Sequence, residues 1–529
     1  MLLLAVIIVL QIWKASVGMG SADEHFYTTL GYRFMKGDAL FFDDWHIAQM
    51  ISFFLEPLVR LFTSVTGSTN GIIRFMRFCY IAFNALAGTV FYLRFRQYRY
   101  AAIGAACIYL LYTPLQIMAL SYNTMSAGFA LLALCVYPVN SENRLRLVLT
   151  GLFASFAVIN TPYLALIYLV LCVAAIRNAA WFSRKRWCWL SLGVLIAAAL
   201  FIVYVGMHTG FAQVLEGLPH LIDPSHSKGL YMFARNIALL WRFFHIFAVL
   251  MAAELAAAFY CRFKKKEMRE VLFKGSLVIN LAAMIYVCFI STYQVDLGSR
   301  GTVLFPFFVS GLVCLILYGD HTFRSVFFAV SVFHSLMILF SSNVGPRSYC
   351  GPLVIACMMT VLFFADQKIF YRFGTGITAV LLGCLLFSKC VDVYMGNGAY
   401  DVRINDGPSA GLRDSAQAAE RYENGLSDIR YLNTLEGENA MLITWEVWEY
   451  LALNKRIATF STYPYFWEEA EYVSAQKAYE EIHPDRYPAW IYLDAENAPY
   501  RIKPDNALFA GMGPAEPLQE GFLFYGGQK

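Results

Sequence analysis

The chain has 529 residues, 59% of them hydrophobic and only 15% charged, whereas soluble domains carry about 25% charged residues. A larger core cannot absorb that deficit, so lipid must be the solvent for most of the chain, which excludes an ordinary soluble enzyme and leaves no nucleic-acid-binding reading. Charge is also divided: residues 1–396 hold 30 Lys and Arg against 16 Asp and Glu, and residues 397–529 hold 11 against 21. A basic apolar part followed by an acidic polar tail predicts two domains, 1–396 in the membrane and 397–529 soluble.

The first apolar run, 1–17, is short and could pass for a signal peptide, but no A-x-A-like cleavage site follows it, so a retained first span is expected. A long segment, 18–69, comes next. Ser21-Ala22-Asp23-Glu24 has the form of a helix capping box, and Phe26, Leu30 and Phe34 then recur at four-residue steps on one face. A second helix is expected from Asp43-Asp44, with Ile47, Met50, Ile51, Phe54, Leu55 and Leu58 as its apolar face and Pro57 as a kink. Both helices are expected to lie in the membrane surface.

Further spanning runs are expected at 70–93, 100–120, 122–139, 187–207, 236–260, 273–291, 301–319, 323–341, 350–366 and 374–393. Residues 145–176 read as two more spans broken at Asn160-Thr161-Pro162, which brings the expected total to thirteen. With a cytoplasmic N-terminus, the cytoplasmic loops carry eighteen basic residues, from Arg94 to Arg372, and the opposite loops carry seven. That asymmetry fits one orientation, and an odd number of spans then places the tail outside the cytoplasm of a plasma-membrane protein. Twelve cysteines lie between Cys79 and Cys390 in or beside apolar runs, with no zinc or disulfide spacing, and read as small buried hydrophobes.

The tail alternates patterns: a helix over 412–435, a strand over 440–444, a helix over 467–482 and a strand over 489–493. That order predicts a small α/β domain. The predicted fold class is therefore an all-α polytopic membrane domain of about thirteen transmembrane helices, with surface helices in its first outer loop, plus a small C-terminal α/β domain.

Charge clustered at a membrane surface needs a reason. Asp23-Glu24 directly follow the first span, and Asp43, Asp44 and His46 follow about twenty residues later. A carboxylate there can take a proton from a hydroxyl or hold a divalent cation, with Asp23, Glu24 and His46 as the candidate ligands. The bland alternative is that Glu24 caps a helix and Asp23 favours the positive end of its dipole.

A first span followed by Asp-Glu, an aromatic-rich helix, a Gly37-Asp38 step and a second surface helix resembles the C-type superfamily of polyprenyl-phosphate-sugar glycosyltransferases. Its members include protein O-mannosyltransferases, the lipid A aminoarabinose transferase and oligosaccharyltransferases. Ser121-Tyr122-Asn123-Thr124-Met125-Ser126 and Gly407-Pro408-Ser409-Ala410-Gly411-Leu412 are similar to motifs of bacterial members. The resemblance implies transfer of a sugar from a polyprenyl-phosphate carrier to a glycan, lipid or protein acceptor on the outer face. It places the superfamily's first-loop acidic residue on Asp23, as base, with Glu24 beside it. Where many members have a His-Pro-Pro-like step, this chain reads Asp44-Trp45-His46.

The leaving group of that reaction is an anionic phosphate, which requires cations at the same level. Arg300, Lys228 and Arg347 are the candidates, and Tyr122 and Asn123 can hydrogen-bond sugar hydroxyls. Asp44 and His46 complete the expected substrate-binding set. Glu254, inside a span, is expected to make a structural pairing within the bundle. The reading from another class is a transporter or lipid flippase of envelope glycolipids, although internal repeats and paired midplane charges are not evident; a third is a scaffold whose tail is the binding module.

Overall fold

The computed structural model describes residues 2–526 apart from 21, 115–116, 140–141, 178–182, 222–228, 265, 291–301, 320–322, 342–344, 367–370, 395–399, 464–467, 497 and 499–501. Helix α1 (Leu2–Lys14) is apolar except for Gln11 and Lys14, and Gln11 donates its amide to the Leu110 carbonyl at 2.5 Å rather than to lipid. Helices α2 (Ala22–Met35) and α3 (Ser52–Thr66) fill the long segment after it. There follow α4 (Ile72–Phe95), α5 (Tyr100–Leu111), α6 (Tyr122–Val136), α7 (Arg144–Asn160), α8 (Leu164–Arg177), α9 (Arg184–His208) and the short α10 (Phe211–Gly217). The bundle is completed by α11 (Gly229–Phe263), α12 (Arg269–Ile285), α13 (Leu304–Tyr318), α14 (Phe323–Ser341), α15 (Pro346–Tyr349), α16 (Leu353–Asp366) and α17 (Tyr371–Tyr394).

Each expected apolar run falls on a helix, and the break at Asn160-Thr161-Pro162 separates α7 from α8. Among the described residues, five helices are long and apolar enough to cross a membrane: Ile72–Tyr98, Arg184–His208, Phe244–Phe263, Arg269–Phe289 and Arg324–Ser341. Six shorter apolar helices accompany them. Helix α16 is buried from Leu353 to Phe364, as expected of a helix apolar on every side, and packs against α5, α13 and α14 at the centre of the bundle. Glu254 accepts a hydrogen bond from Asn280 at 2.9 Å, a pairing between α11 and α12. The eleven described cysteines are free thiols, most of them buried.

The first long segment differs from its expectation in two ways. Helix α2 is buried from Glu24 to Phe34, including its polar residues, so it lies inside the protein, between α3 and the tail, and not half in lipid. The second helix does not start at Asp43-Asp44: a 3-10 turn over Ile47–Ile51 leads into α3, and the two aspartates are drawn into buried ion pairs instead. Ile51, at the end of the 3-10 turn, and Leu55 and Val59 of α3 form one buried stripe, while Ile47 is exposed.

In the tail, a two-residue pairing of β1 (Val402–Arg403) and β2 (Arg413–Asp414) precedes α18 (Ala416–Thr434), β3 (Asn439–Ile443) and the short α19 (Glu449–Ala452). Then come β4 (Arg456–Ile457), α20 (Glu469–Ile482), β5 (Trp490–Asp494), β6 (Glu516–Pro517) and β7 (Gly521–Tyr525). One sheet has the order β4-β3-β5-β7-β6, with β3 parallel to β4 and β5, and β7 antiparallel to β5 and β6. Because side chains alternate along a strand, Ala440, Leu442, Trp490 and Tyr492 pack toward α18 and the first long segment. Met441, Ile443, Ile491 and Leu493 pack toward Tyr472 and Tyr479 of α20.

The tail is welded to the segment after α1. Arg413 donates its backbone N–H to Ser16 at 3.0 Å and accepts from Gly18 at 2.8 Å, so this segment adds to the edge of β2. The Gly407-Pro408 motif has a local job: its carbonyls accept from the N–H groups of Gly71 at 3.0 Å and Ile73 at 3.2 Å, satisfying the open first turn of α4. Gly407 has φ +73°, and a Cβ there would stand 2.3 Å from the Tyr422 hydroxyl oxygen, so any other residue strains the turn. Tail and first long segment therefore lie on the same side of the bundle.

Candidate functional site

The first turn of α2 places two carboxylates side by side with opposite fates. Glu24 is buried, and Arg77 of α4 holds both its oxygens, at 2.5 Å and 3.0 Å. The same guanidinium reaches the Ala15 and Val17 carbonyls, each at 3.2 Å, so the pair pins α4 and α2 to the end of α1. Gly20 makes room for it, since a Cβ there would stand 2.2 Å from a Glu24 oxygen. Arg77→Ala strands a buried carboxylate and is expected to cost about 3–5 kcal/mol. The double variant Glu24→Gln/Arg77→Met is expected to recover most of that loss in a thermal melt in detergent.

Asp23, one residue earlier, is half-buried and accepts a hydrogen bond from the hydroxyl of Tyr463 in the tail. The Tyr463 ring stacks on Phe26 at 5.0 Å, and the His46 ring packs on Phe26 at 4.4 Å. His46 caps the 3-10 turn through Nδ1, which accepts from the Ala48 N–H at 3.1 Å. Tyr27 meets Tyr122 at 6.1 Å between ring centres. Burial first, then Tyr122 and Asp23, push the Tyr27 hydroxyl well above its ordinary range. Asp23, His46 and Tyr122 are thus brought around the aromatic pair Phe26–Tyr27. Ser121 caps α6 through a capping box with Thr124, so Tyr122 and Asn123 occupy its first turn. Asn123 lines a small cavity with Tyr80, Asn84 and Tyr112.

Asp44 is set apart from this group. It takes Arg33 Nη1 at 2.9 Å inside a buried network that also contains Asp38, Asp43 and Arg486 of the tail. His483 packs beside it, 3.6 Å from Asp43, and burial followed by the Arg486 charge pushes its imidazole down to about 4. Among the described residues, two guanidinium groups therefore face three carboxylates in this network. Burial outweighs Arg33 and raises the Asp44 carboxyl to about 6, and burial together with Asp38 raises Asp43 in the same direction. The folded protein thus holds a proton that an unfolded aspartate, at 3.8, releases. That stabilisation is full below the unfolded value and lost as pH rises through about 6, and is worth no more than about 3 kcal/mol. The melting temperature is expected to fall between pH 5 and pH 7.5, and Asp44→Asn is expected to flatten the profile.

Lys228 and Arg300 lie outside the described residues. Arg347 sits in the backbone of α15, and its side chain is outside them too. A cation that the sequence analysis passed over is present: Lys389 of α17 is fully buried and donates to the Thr113 hydroxyl at 2.7 Å, and Tyr80 joins the same hydroxyl at 3.3 Å. A lysine inside an apolar run was the available signal. Tyr463 and Arg486 carried no comparable signal, because their partners lie more than 400 positions away.

No family model matches the chain, and no curated protein matches it. It is similar to the crystal structure of ArnT from Cupriavidus metallidurans in the apo state, at 13% identity and a TM-score of 0.46, over 100% of this chain and 98% of that one. It is also similar to ArnT from the same organism bound to undecaprenyl phosphate, at 14% identity and a TM-score of 0.41, over 100% of this chain and 99% of that one.

Among the described residues the candidate ligands Asp23, Glu24 and His46 do not form a metal centre. Both Glu24 oxygens belong to Arg77, and among the described residues no group of three or more His, Cys, Asp or Glu is arranged to hold an ion.

Proposed function

We propose that the chain is an integral membrane glycosyltransferase that moves a sugar from a polyprenyl-phosphate carrier to a glycan, lipid or protein acceptor on the outer face of the plasma membrane. The observation that carries the proposal is the division of labour in the first turn of α2: Glu24 is consumed by Arg77, whereas Asp23 is half-buried and oriented by Tyr463. A carboxylate held that way, beside the aromatic surfaces of Tyr27, Tyr122 and Phe26, is equipped to accept a proton from a bound hydroxyl.

The acceptor oxygen, losing its proton to Asp23, attacks the anomeric carbon on the side opposite the phosphate. The carbon–oxygen bond to the carrier breaks, polyprenyl phosphate leaves with the bonding pair, and the configuration inverts. No step is assigned to a metal ion. Lys389, held by Thr113 next to the cavity that Asn123 lines, offers buried positive charge to the leaving phosphate, with Arg300, Lys228 and Arg347 as further cations. In this reading all thirteen apolar helices cross the membrane, and the basic-loop asymmetry places α2, α3 and the tail outside.

The test is purified protein in vesicles with a radiolabelled polyprenyl-phosphate sugar and a membrane extract as acceptor source. Label in a new covalent product is the expected result. Labelled lipid crossing the bilayer chemically unchanged, with no product, refutes the proposal in favour of a flippase.

A further inference from the structure

A second cavity, of about 310 Å³, lies in the tail, and Asp23 is not among its lining residues. Its position follows from the sheet. From β3 the chain goes to β4 on one side, then passes through α20 to β5 on the other side of β3. The crevice between the carboxyl ends of β3 and β5 is therefore a topological switch point, where open α/β sheets take their ligands. Glu446 follows β3, Asp494 ends β5, and the N-terminal turn of α18 closes the opposite wall. Met19, from the segment after α1, forms part of the rim.

The walls are rich in carboxyl groups. Among the described residues, Glu446, Glu449, Asp494 and Glu520 line the cavity with a single cation, Arg421. Arg421 is spread thinly, at 3.9 Å from Asp494, 3.3 Å from Glu496 and 4.0 Å from Glu520. Glu446 has the Trp448 indole N–H at 3.0 Å. The nearby His25 is no counter-ion, because burial pushes its imidazole down. Glu449 is 2% exposed, and its Oε2 has no hydrogen-bond partner among the described residues. Burial, then Asp494 and Glu446, push its carboxyl well above the usual range, a strain that a bound cation relieves. The carboxyl borders the cavity at Gly425, where an added Cβ would meet Glu449 Oε1 and the Trp448 ring, each at 3.4 Å. The volume suits a monosaccharide-sized molecule rather than a bare ion, and the carboxylates are not grouped as metal ligands.

We propose that this cavity binds a small organic cation, a primary ammonium on a body no larger than a monosaccharide, with Glu446 and Glu449 receiving the ammonium. Titration calorimetry on the full chain in detergent at low salt tests it, with glucosamine and ethanolamine as ammonium probes and N-acetylglucosamine as the neutral counterpart. Saturable binding of an ammonium probe is expected, at least tenfold tighter than N-acetylglucosamine. Glu446→Gln is expected to weaken it at least tenfold while leaving the ligand-free melting temperature unchanged. Glu520→Gln, across the cavity mouth from Arg421, serves as the second variant and is expected to weaken binding by a smaller factor. Equal affinity for charged and neutral sugars, no saturable binding of either ammonium probe, or unchanged affinity in both variants overturns the proposal. None of these readouts involves sugar transfer, so their failure is distinct from failure of the glycosyltransferase reading.

Discussion

Asp23→Asn is expected to lower kcat for sugar transfer by about 10²–10⁴-fold, the range that a positioned general base contributes. The amide keeps the size of the side chain and still accepts a hydrogen bond from Tyr463, so the fold is expected to persist with an unchanged melting temperature. What is lost is the site for the proton. Tyr463→Phe probes the same contact from the other side: the base remains but its orienting hydroxyl is gone. A hydrogen bond to a charged group contributes about 1.5–3 kcal/mol, so a loss of roughly 10- to 100-fold is expected, smaller than that of Asp23→Asn. Transfer by Asp23→Asn at the wild-type rate would remove Asp23 from the mechanism and leave the first loop a structural role.

Arg486→Leu is the second large effect. Arg486 is 2% exposed and bridges Asp38 at 2.8 Å and Asp43 at 2.5 Å, reaching from the tail into the loop between α2 and α3. Breaking a buried ion pair by removing one partner costs about 3–5 kcal/mol, because the remaining charges stay desolvated. Arg33 alone then faces three carboxylates. The expected outcome is a lower melting temperature, faster proteolysis at the domain boundary and loss of transfer, since Tyr463 departs with the tail. Adding Asp38→Asn and Asp43→Asn removes the stranded charge and is expected to restore much of the stability. A single variant as stable and protease-resistant as wild type would show that apolar packing of α2 against the tail suffices without the network.

Helix positions were legible because long apolar runs impose them. Runs such as 187–207 and 350–366 contain almost no charge, and a span must satisfy its backbone internally, so helix follows from composition. The tail strands at 439–443 and 490–494 were also legible, as apolar runs bounded by polar turns. The two-residue β4 and β6 escaped notice, since so short a segment has no periodicity to read. The aspartates at 43 and 44 misled for a definite reason: acidic residues before an apolar stripe look like a helix start. Their partners Arg33 and Arg486 recast them as an ionic weld.

The sequence by itself determined that most of this chain is built of apolar helices, that a small α/β region follows, and that Asp23-Glu24 stand just after the first of those helices. Each of these rests on local pattern. Only the tertiary structure decided the partner of each carboxylate, because that depends on Arg77, 53 positions from Glu24, and on Tyr463, 440 positions from Asp23. Neighbouring residues on a helix point about 100° apart. One faces α4 and is neutralised, the other faces the tail and is oriented, and no spacing rule in one chain records which is which.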